Sequence, residues 1–460
     1  MYKLAFYNFI RSRSVWAVLM LFFAAGVISI FIGRQFLLRQ EAAIHSVTQS
    51  QQEHIERNVK YIKNEFGLLM YYLKFAYIHK PEPIAALAIG QQDVNTNIQA
   101  LTIRTLEAQR YDTDLYNPYN LMTGNFDLSF VITCLFPLLI IAFNFNVLSR
   151  EQEGGTWPLV KLQSQQPLRF IFQKLSIRLI VVSALLLSLL VLAKFIIRIP
   201  LDAAFVAFSA MAFLYILVWF GISFLIIALH KSTSVNALFL LSVWVLLCLL
   251  APGMINNYVT AKYPVPEAYS TLIKQRDGYH TKYDKNKDST VQTFFRYYPE
   301  YKKYVWDKLT FNYVWFYAMQ HLGDEEAREE TKAMQLKLQQ RSRVSAIAGL
   351  FFPATHAQLQ FTNIAHTGMQ QHLAYLDSTA TFHEGLRRHF YPKIFGDSAV
   401  DSESWAQHVP AYFTAASNIN WMELLLPMLI AGIVLFGAGV LVFKLVHPGS
   451  DAARVDQLNN

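Results

Sequence analysis

Charge is scarce in this sequence. Only 16% of its 460 residues are charged, against roughly 25% in an ordinary soluble domain, while 53% are hydrophobic and 15% aromatic. That balance excludes a chain folding wholly in water behind a charged surface. Cysteine is also rare: Cys134 and Cys248 are the two present, and both fall within apolar runs. Neither can staple a segment outside a membrane, so any such segment folds by burial alone. The phosphate-loop pattern G-x-x-x-x-G-K-[ST] is missing, which excludes gripping ATP by that route, and so is H-E-x-x-H. The apolar runs carry no row of Asp, Glu or His, which argues against a proton relay.

What the chain does have is length in its apolar runs. Six windows reach the roughly 20 residues that a helix needs to cross a bilayer: 15–37, 128–148, 177–197, 203–229, 235–255 and 422–446. Basic residues orient them, because short loops rich in Lys and Arg stay in the cytoplasm. Lys3, Arg11 and Arg13 precede the first window. Arg150, Lys161, Arg169 and Lys174 lie between the second and third, and His230 and Lys231 between the fourth and fifth. Six spans put all of these on one face together with the tail 447–460, an N-in, C-in topology. The net charge of +8 sits well with such edges and needs no nucleic acid; membrane lipid with anionic headgroups is the expected counterpart. Residues 1–14 alternate aromatic and basic side chains at helical spacing, which predicts a cytoplasmic amphipathic helix. The first window exceeds the apolar core of about 7–15 residues in a signal peptide, so it is expected to stay as a span.

Two long segments, 38–127 and 256–421, then lie outside. Ile55, Val59, Ile62, Phe66, Leu69 and Leu73 follow one another at spacings of 4, 3, 4, 3 and 4, which predicts one helix continuing from the first span and ending at the prolines of 79–83. A second helix is expected over 94–110 and a turn at 116–120. In the larger segment, Gly323-Asp324 opens a stretch that runs from acidic to basic, suiting a helix dipole, and 367–395 again has apolar residues three and four apart. No alternating strand pattern stands out. The fold expected is an all-α polytopic membrane protein, six transmembrane helices with a helical extracytoplasmic domain built from two insertions.

Few side chains suggest chemistry. His366, His372, His383 and His389, with His356 nearby, are close in sequence, but spacings of 6, 11 and 6 scatter them around a helix, so hydrogen-bonded structural histidines are expected rather than a metal site. Asn144, Asn146, Ser209, Ser223 and Asn236 are expected to hydrogen-bond between spans. Neither a catalytic group, a cofactor site nor a metal site emerges, and the chain does not read as an enzyme.

The loop 149–176 is the most punctuated stretch. Glu151, Glu153, Gly154, Gly155, Thr156, Trp157, Pro158, Leu159 and Lys161 follow the second span, with Gln166-Pro167 and Lys174 leading into the third. The glycines allow a sharp turn, Thr156 is suited to cap a following helix, Pro158 fits its first turn, and Trp157, Leu159, Val160 and Leu162 would form an apolar face. An interfacial anchoring helix is the plainer reading of the same residues. In its position between spans two and three, the pattern Glu-Gln-Glu-Gly-Gly-Thr followed by Gln-Pro and a Lys resembles the signature of type 2 ABC exporter permeases. The two large insertions resemble those of a branch of that class whose domain is of unknown function, and 350–395, with the turn Ala365-His366-Thr367-Gly368, is similar to that branch.

The resemblance implies that 149–176 is a coupling-helix loop, with the residues named from Glu151 to Lys161 meeting a cytoplasmic ABC ATPase dimer, which would hold ATP and Mg. It implies a second permease chain, identical or paralogous, in a bacterial cytoplasmic membrane. The insertions suggest an envelope protein as a further partner. The rival expectation is a membrane sensor or scaffold whose external domain binds a ligand or protein.

Overall fold

The computed structural model describes residues 2–110, 125–163, 167–414 and 419–446. Helix dominates, and six helices are long and apolar enough to cross a membrane: Arg13–Tyr61, Leu128–Glu153, Pro167–Ile197, Ala203–Ile227, Thr233–Lys262 and Trp421–Val446. We call these spans one to six. The turn expected at 116–120 and the tail 447–460 fall outside the described residues.

The spans are not equivalent. Within its most apolar window, span four is 72% buried and span two 67%, whereas spans one and six are each 17% buried. Spans two and four therefore form the centre of the bundle, and one, five and six turn most of their surface outward. Tyr215, Trp219, Phe208 and Phe224 of span four are fully buried in that centre. Apolar surroundings offer no water to a free carbonyl, so any break in the helical ladder must be answered by a neighbour. Span two contains such a break, a π turn at Val131–Leu135. Tyr215 Oη donates to the Thr133 carbonyl at 2.6 Å and Trp244 Nε1 to the Cys134 carbonyl at 2.9 Å. Span five has its own π turn, at Val245–Leu250, and brings Cys248 Sγ to within 3.5 Å of the Thr133 carbonyl.

These contacts correct the expectation for the polar residues of the spans. Asn144 and Ser223 are fully buried with no hydrogen-bond partner among the described residues, and Ser209 and Asn236 bond only within their own segments, to the Phe205 and Lys231 carbonyls. Cross-helix bonding comes instead from the carbonyls that the π turn exposes, which no residue pattern announces.

Span one runs unbroken for 49 residues, about 74 Å at 1.5 Å per residue. It stops at Tyr61, earlier than the apolar stripe predicts. Its phase resumes in a short helix, α1 (Phe66–Tyr72), after which the chain turns extended as β1 (Phe75–His79). Nor is 94–110 one helix: it holds β2 (Ile98–Leu101) and a single turn at Glu107–Arg110. A third strand, β3 (Ala411–Phe413), closes a small sheet of order β2-β1-β3, antiparallel with β2 and parallel with β3. The strands were missed because β1 is buried at every position and shows no alternation.

The sheet joins the two insertions, since β3 lies more than 300 residues after β1 in the chain. Span one is clamped at the same place, where Gln51 accepts from the Ala76 amide at 2.6 Å and donates to the His408 carbonyl at 2.7 Å. In the larger insertion, α2 (Tyr313–Gly349) starts ten residues before Gly323-Asp324, with the Asn312 side chain capping the Val314 amide at 2.8 Å. Asp324 thus has no helix-starting role. It is buried and binds Arg387 of α3 (Met369–Phe395) at 2.6 Å, while accepting from the Leu106 amide at 2.9 Å. Arg387 also reaches the Ile103 and Arg104 carbonyls. Around this network lies an aromatic core containing Phe294, Tyr317, Phe390 and Tyr391.

One piece of each insertion dips into the end of the bundle. The short turn Pro83–Leu87 and the helix Pro353–Ile364 both belong to the core cluster of the spans. Phe361 packs on Phe208 with centroids 4.4 Å apart, and Gln358 accepts from the Thr133 hydroxyl at 3.2 Å. Asp127, capping span two, accepts from the Ile89 amide at 2.8 Å. The two pieces hold each other as well: Thr367 Oγ1 donates to the Ala88 carbonyl at 2.7 Å.

Two outcomes follow. Arg387→Leu leaves the Asp324 carboxylate buried without its cation and is expected to destabilise the insertion domain by about 3–5 kcal/mol, read as a fall in Tm, with Asp324→Leu/Arg387→Met milder than either single change. Gly33→Ala drives a methyl onto the Ala86 carbonyl oxygen, whereas Gly253→Ala meets nothing within 4 Å among the described residues. The first should lower Tm sharply and the second should not; equal effects would show that the Pro83–Leu87 contact is dispensable.

Candidate functional site

The loop after span two is built from two short helices and one sharp elbow. Ser149–Glu153 ends as the Gly154 amide donates to the Arg150 carbonyl and the Gly155 amide to Gln152, while the Thr156 amide reaches back to the Glu151 carbonyl at 3.0 Å. With Gly155 at φ +70°, this is a Schellman turn, closed by the one residue that adopts a left-handed conformation without strain. A Cβ on Gly155 would meet nothing within 4 Å, so it is conformation and not space that calls for glycine there. The second helix, Trp157–Gln163, leaves at once, its first turn accommodating Pro158.

Both glutamates are anchored inside the chain. Glu151 Oε1 binds Lys174 Nζ of span three at 2.6 Å, and its other oxygen accepts from the Thr156 hydroxyl. Glu153 accepts from the Thr233 amide at 2.8 Å and the Thr233 hydroxyl at 2.9 Å, capping the start of span five with a side chain from another segment. Ser149 Oγ shares the Thr233 hydroxyl at 2.8 Å. The elbow is therefore tied to the starts of two spans. Thr233 was not singled out from the sequence; the only sign of it is a Ser-Thr pair ahead of an apolar run.

Two expectations for the loop change. The Thr156 hydroxyl turns back to Glu151 and does not cap the helix that follows; the Thr156 carbonyl begins that helix by accepting from the Val160 amide at 3.0 Å. Trp157 does not share an outer apolar face with Leu159. It is 6% exposed and packs near His230, whose ring in turn lies 4.9 Å from Phe443 of span six. What faces outward is Gly154, Gly155, Thr156, Pro158 and Leu159, the last 58% exposed. Lys161 falls on the second helix by its backbone.

The histidines do not converge. His356 lies against the Leu424 carbonyl, His383 against the Thr102 carbonyl, and His366 contacts Glu82 at 3.2 Å. His389 joins Glu403 and His408, whose ligand atoms lie within 4.8 Å of one another. Lys393 also binds Glu403, and its Nζ stands 3.0 Å from His389 Nε2, so an ammonium group already occupies the cation's place. The cluster fastens the loop carrying His408 to α3.

A family model described as Domain of unknown function (DUF3526) matches residues 269–414. That stretch runs through the larger insertion, includes Asp324, Arg387 and the turn at 365–368, and leaves all six spans outside it. No curated protein and no solved structure matches the chain.

Buried His79 and His321 and half-buried His372 should make the insertion domain sensitive to acid. Burial and the nearby His366 pull His79 down to about 4, against a small opposing effect of Glu82; burial and His79 pull His372 down to about 4; burial, Arg387 and Arg328 pull His321 down to about 2. In the unfolded chain these groups take up protons near 6.5, so between that pH and about 4 the unfolded state binds more protons than the folded one. Stability is full above pH about 6.5 and is lost as pH falls through that window. Tm measured against pH should drop accordingly, and His372→Gln should flatten the slope; a pH-independent Tm would show these histidines to be open to solvent.

Proposed function

We propose that this chain is the membrane-spanning subunit of an ATP-driven complex of the type 2 ABC exporter class. Hydrolysis would take place on a separate cytoplasmic ATPase dimer holding ATP and Mg, with a second permease chain beside this one. The orientation proposed is N-in and C-in in a bacterial cytoplasmic membrane, which places the insertion domain on the outer side.

The observation that carries the proposal is the anchoring of the loop elbow. Force applied to a connector reaches the spans only if the connector is fastened to them. Here Glu151 holds Lys174 of span three and Glu153 holds Thr233 of span five, so a push on the elbow is shared by both. The same elbow presents Pro158 and Leu159 outward, a small apolar knob of the kind that fits a groove on a partner. A loop serving only as an interfacial anchor has no need of cross-segment bonds to two spans.

The insertion domain supports a load outside the bundle. Its two halves are knitted by a sheet and a buried ion pair, and pieces of both sit in the end of the bundle, so movement of the spans is passed to it as one body. That load would be an exported amphipathic molecule or mechanical work on an envelope protein.

Purification of the intact chain in mild detergent should recover a phosphate-loop ATPase. Leu159→Asp should abolish that association while leaving Tm nearly unchanged, since Leu159 is exposed among the described residues. Recovery of the intact chain with an envelope protein but no ATPase would overturn the proposal in favour of a sensor or scaffold.

A further inference from the structure

Beside the elbow lies a cleft of about 840 Å³ between the amino-terminal helix Tyr2–Ile10, the start of span one, the end of span two and the start of span three. Its lining carries four cations, Arg11, Arg150, Lys174 and Arg178, against a single carboxylate, Glu151. Only Lys174 is neutralised, by Glu151; among the described residues no carboxylate lies within ion-pair distance of the other three. Arg11 and Arg150 are exposed at the rim.

Arg178 is the unusual group. Its Nη1 is shut off from solvent and has no hydrogen-bond partner among the described residues. The guanidinium stands 5.5 Å from the centre of the Phe9 ring, and Phe9 is itself wedged edge-on against Phe143 at 5.2 Å. A ring face eases burial of the charge but accepts none of the five N–H donors of a guanidinium. Arg178 as a whole is half-buried, but enclosing that one nitrogen without an acceptor is costly, and native structures avoid it unless something supplies the acceptor.

We propose that this cleft binds a phosphate group, with Arg178 as its central donor. A phosphate offers oxygens in the geometry that a guanidinium fork engages two at a time, and Arg150 and Arg11 at the rim would add further charge. The polar side chains of Asn8 and Gln173 also line the cleft, while Phe9, Phe143 and Ile177 make part of it apolar. A polar pocket with an apolar wall, set where an amphipathic helix meets two span ends, suits the headgroup of an anionic phospholipid; a soluble phosphate would meet the same donors. The site does not depend on an ATPase partner, and its test uses none.

The full-length chain in detergent is titrated with phosphatidylglycerol or phosphatidylcholine, and bound lipid is counted by native mass spectrometry. One phosphatidylglycerol per chain should be retained preferentially, with affinity reduced about tenfold or more in Arg178→Gln and in Arg150→Gln, as loss of a charge-assisted hydrogen bond implies. Arg150 is exposed, so its variant keeps the test valid if Arg178→Gln folds poorly. Arg169→Gln removes an exposed cation from span three outside the cleft and should leave retention unchanged. Displacement of the lipid by millimolar inorganic phosphate would assign the site to a soluble phosphate. Equal retention of both lipids, undiminished binding by Arg150→Gln, or equal loss in Arg169→Gln would overturn the proposal.

Discussion

The contact between Arg387 and Asp324 holds together what the chain order separates. Asp324 lies in the larger insertion and accepts amide hydrogens from Leu106 and Glu107 in the smaller one, while Arg387 binds it from a third element and reaches two more carbonyls of the smaller insertion. A buried pair of this kind is not a large source of net stability, because desolvation offsets much of the attraction. Its effect is on arrangement. Each group is acceptable in the interior only when the other is in place, so the two insertions cannot pack in another register without stranding a charge.

With that domain fixed, the rest of the architecture has a definite order. The sheet, Gln51 and Pro83–Leu87 attach the domain to span one, while the helix Pro353–Ile364 attaches it to spans two and four. At the other end of the bundle, Glu151 and Glu153 attach the loop to spans three and five. The centre is held by carbonyls released at a π turn and claimed by Tyr215 and Trp244. Apolar packing fills the bundle, but the contacts that fix its arrangement are not hydrophobic pairs alone. They include polar contacts in places where an unanswered polar group would be costly.

This explains what could be read from the sequence and what could not. All six spans were legible, because length and hydropathy report directly on a bilayer. So were the elbow at Gly154-Gly155 and the long helices of the larger insertion. The strands were not, since a fully buried five-residue strand such as β1 leaves no periodic trace. The direction of Trp157 was missed because an apolar residue beside a proline reads the same whether it faces a groove or the core. The anchoring role of the glutamates was missed for a different reason. It depends on Lys174 and Thr233, which are 23 and 80 residues away from their partners, and nothing local marks them as such. The unmatched Arg178 is likewise invisible in the sequence, where it resembles any basic residue near a span end.

Span one gives this arrangement a scale. It is a single helix from the edge of the basic cleft to the strands of the insertion domain, with no proline or π turn to absorb bending over its 49 residues. A rod of that length converts angle into distance. A tilt of a few degrees at its base carries its far end through several ångströms, comparable to the one-turn shifts by which packed helices change register. Small rearrangements around the amino-terminal helix are thus magnified at the remote end of the molecule.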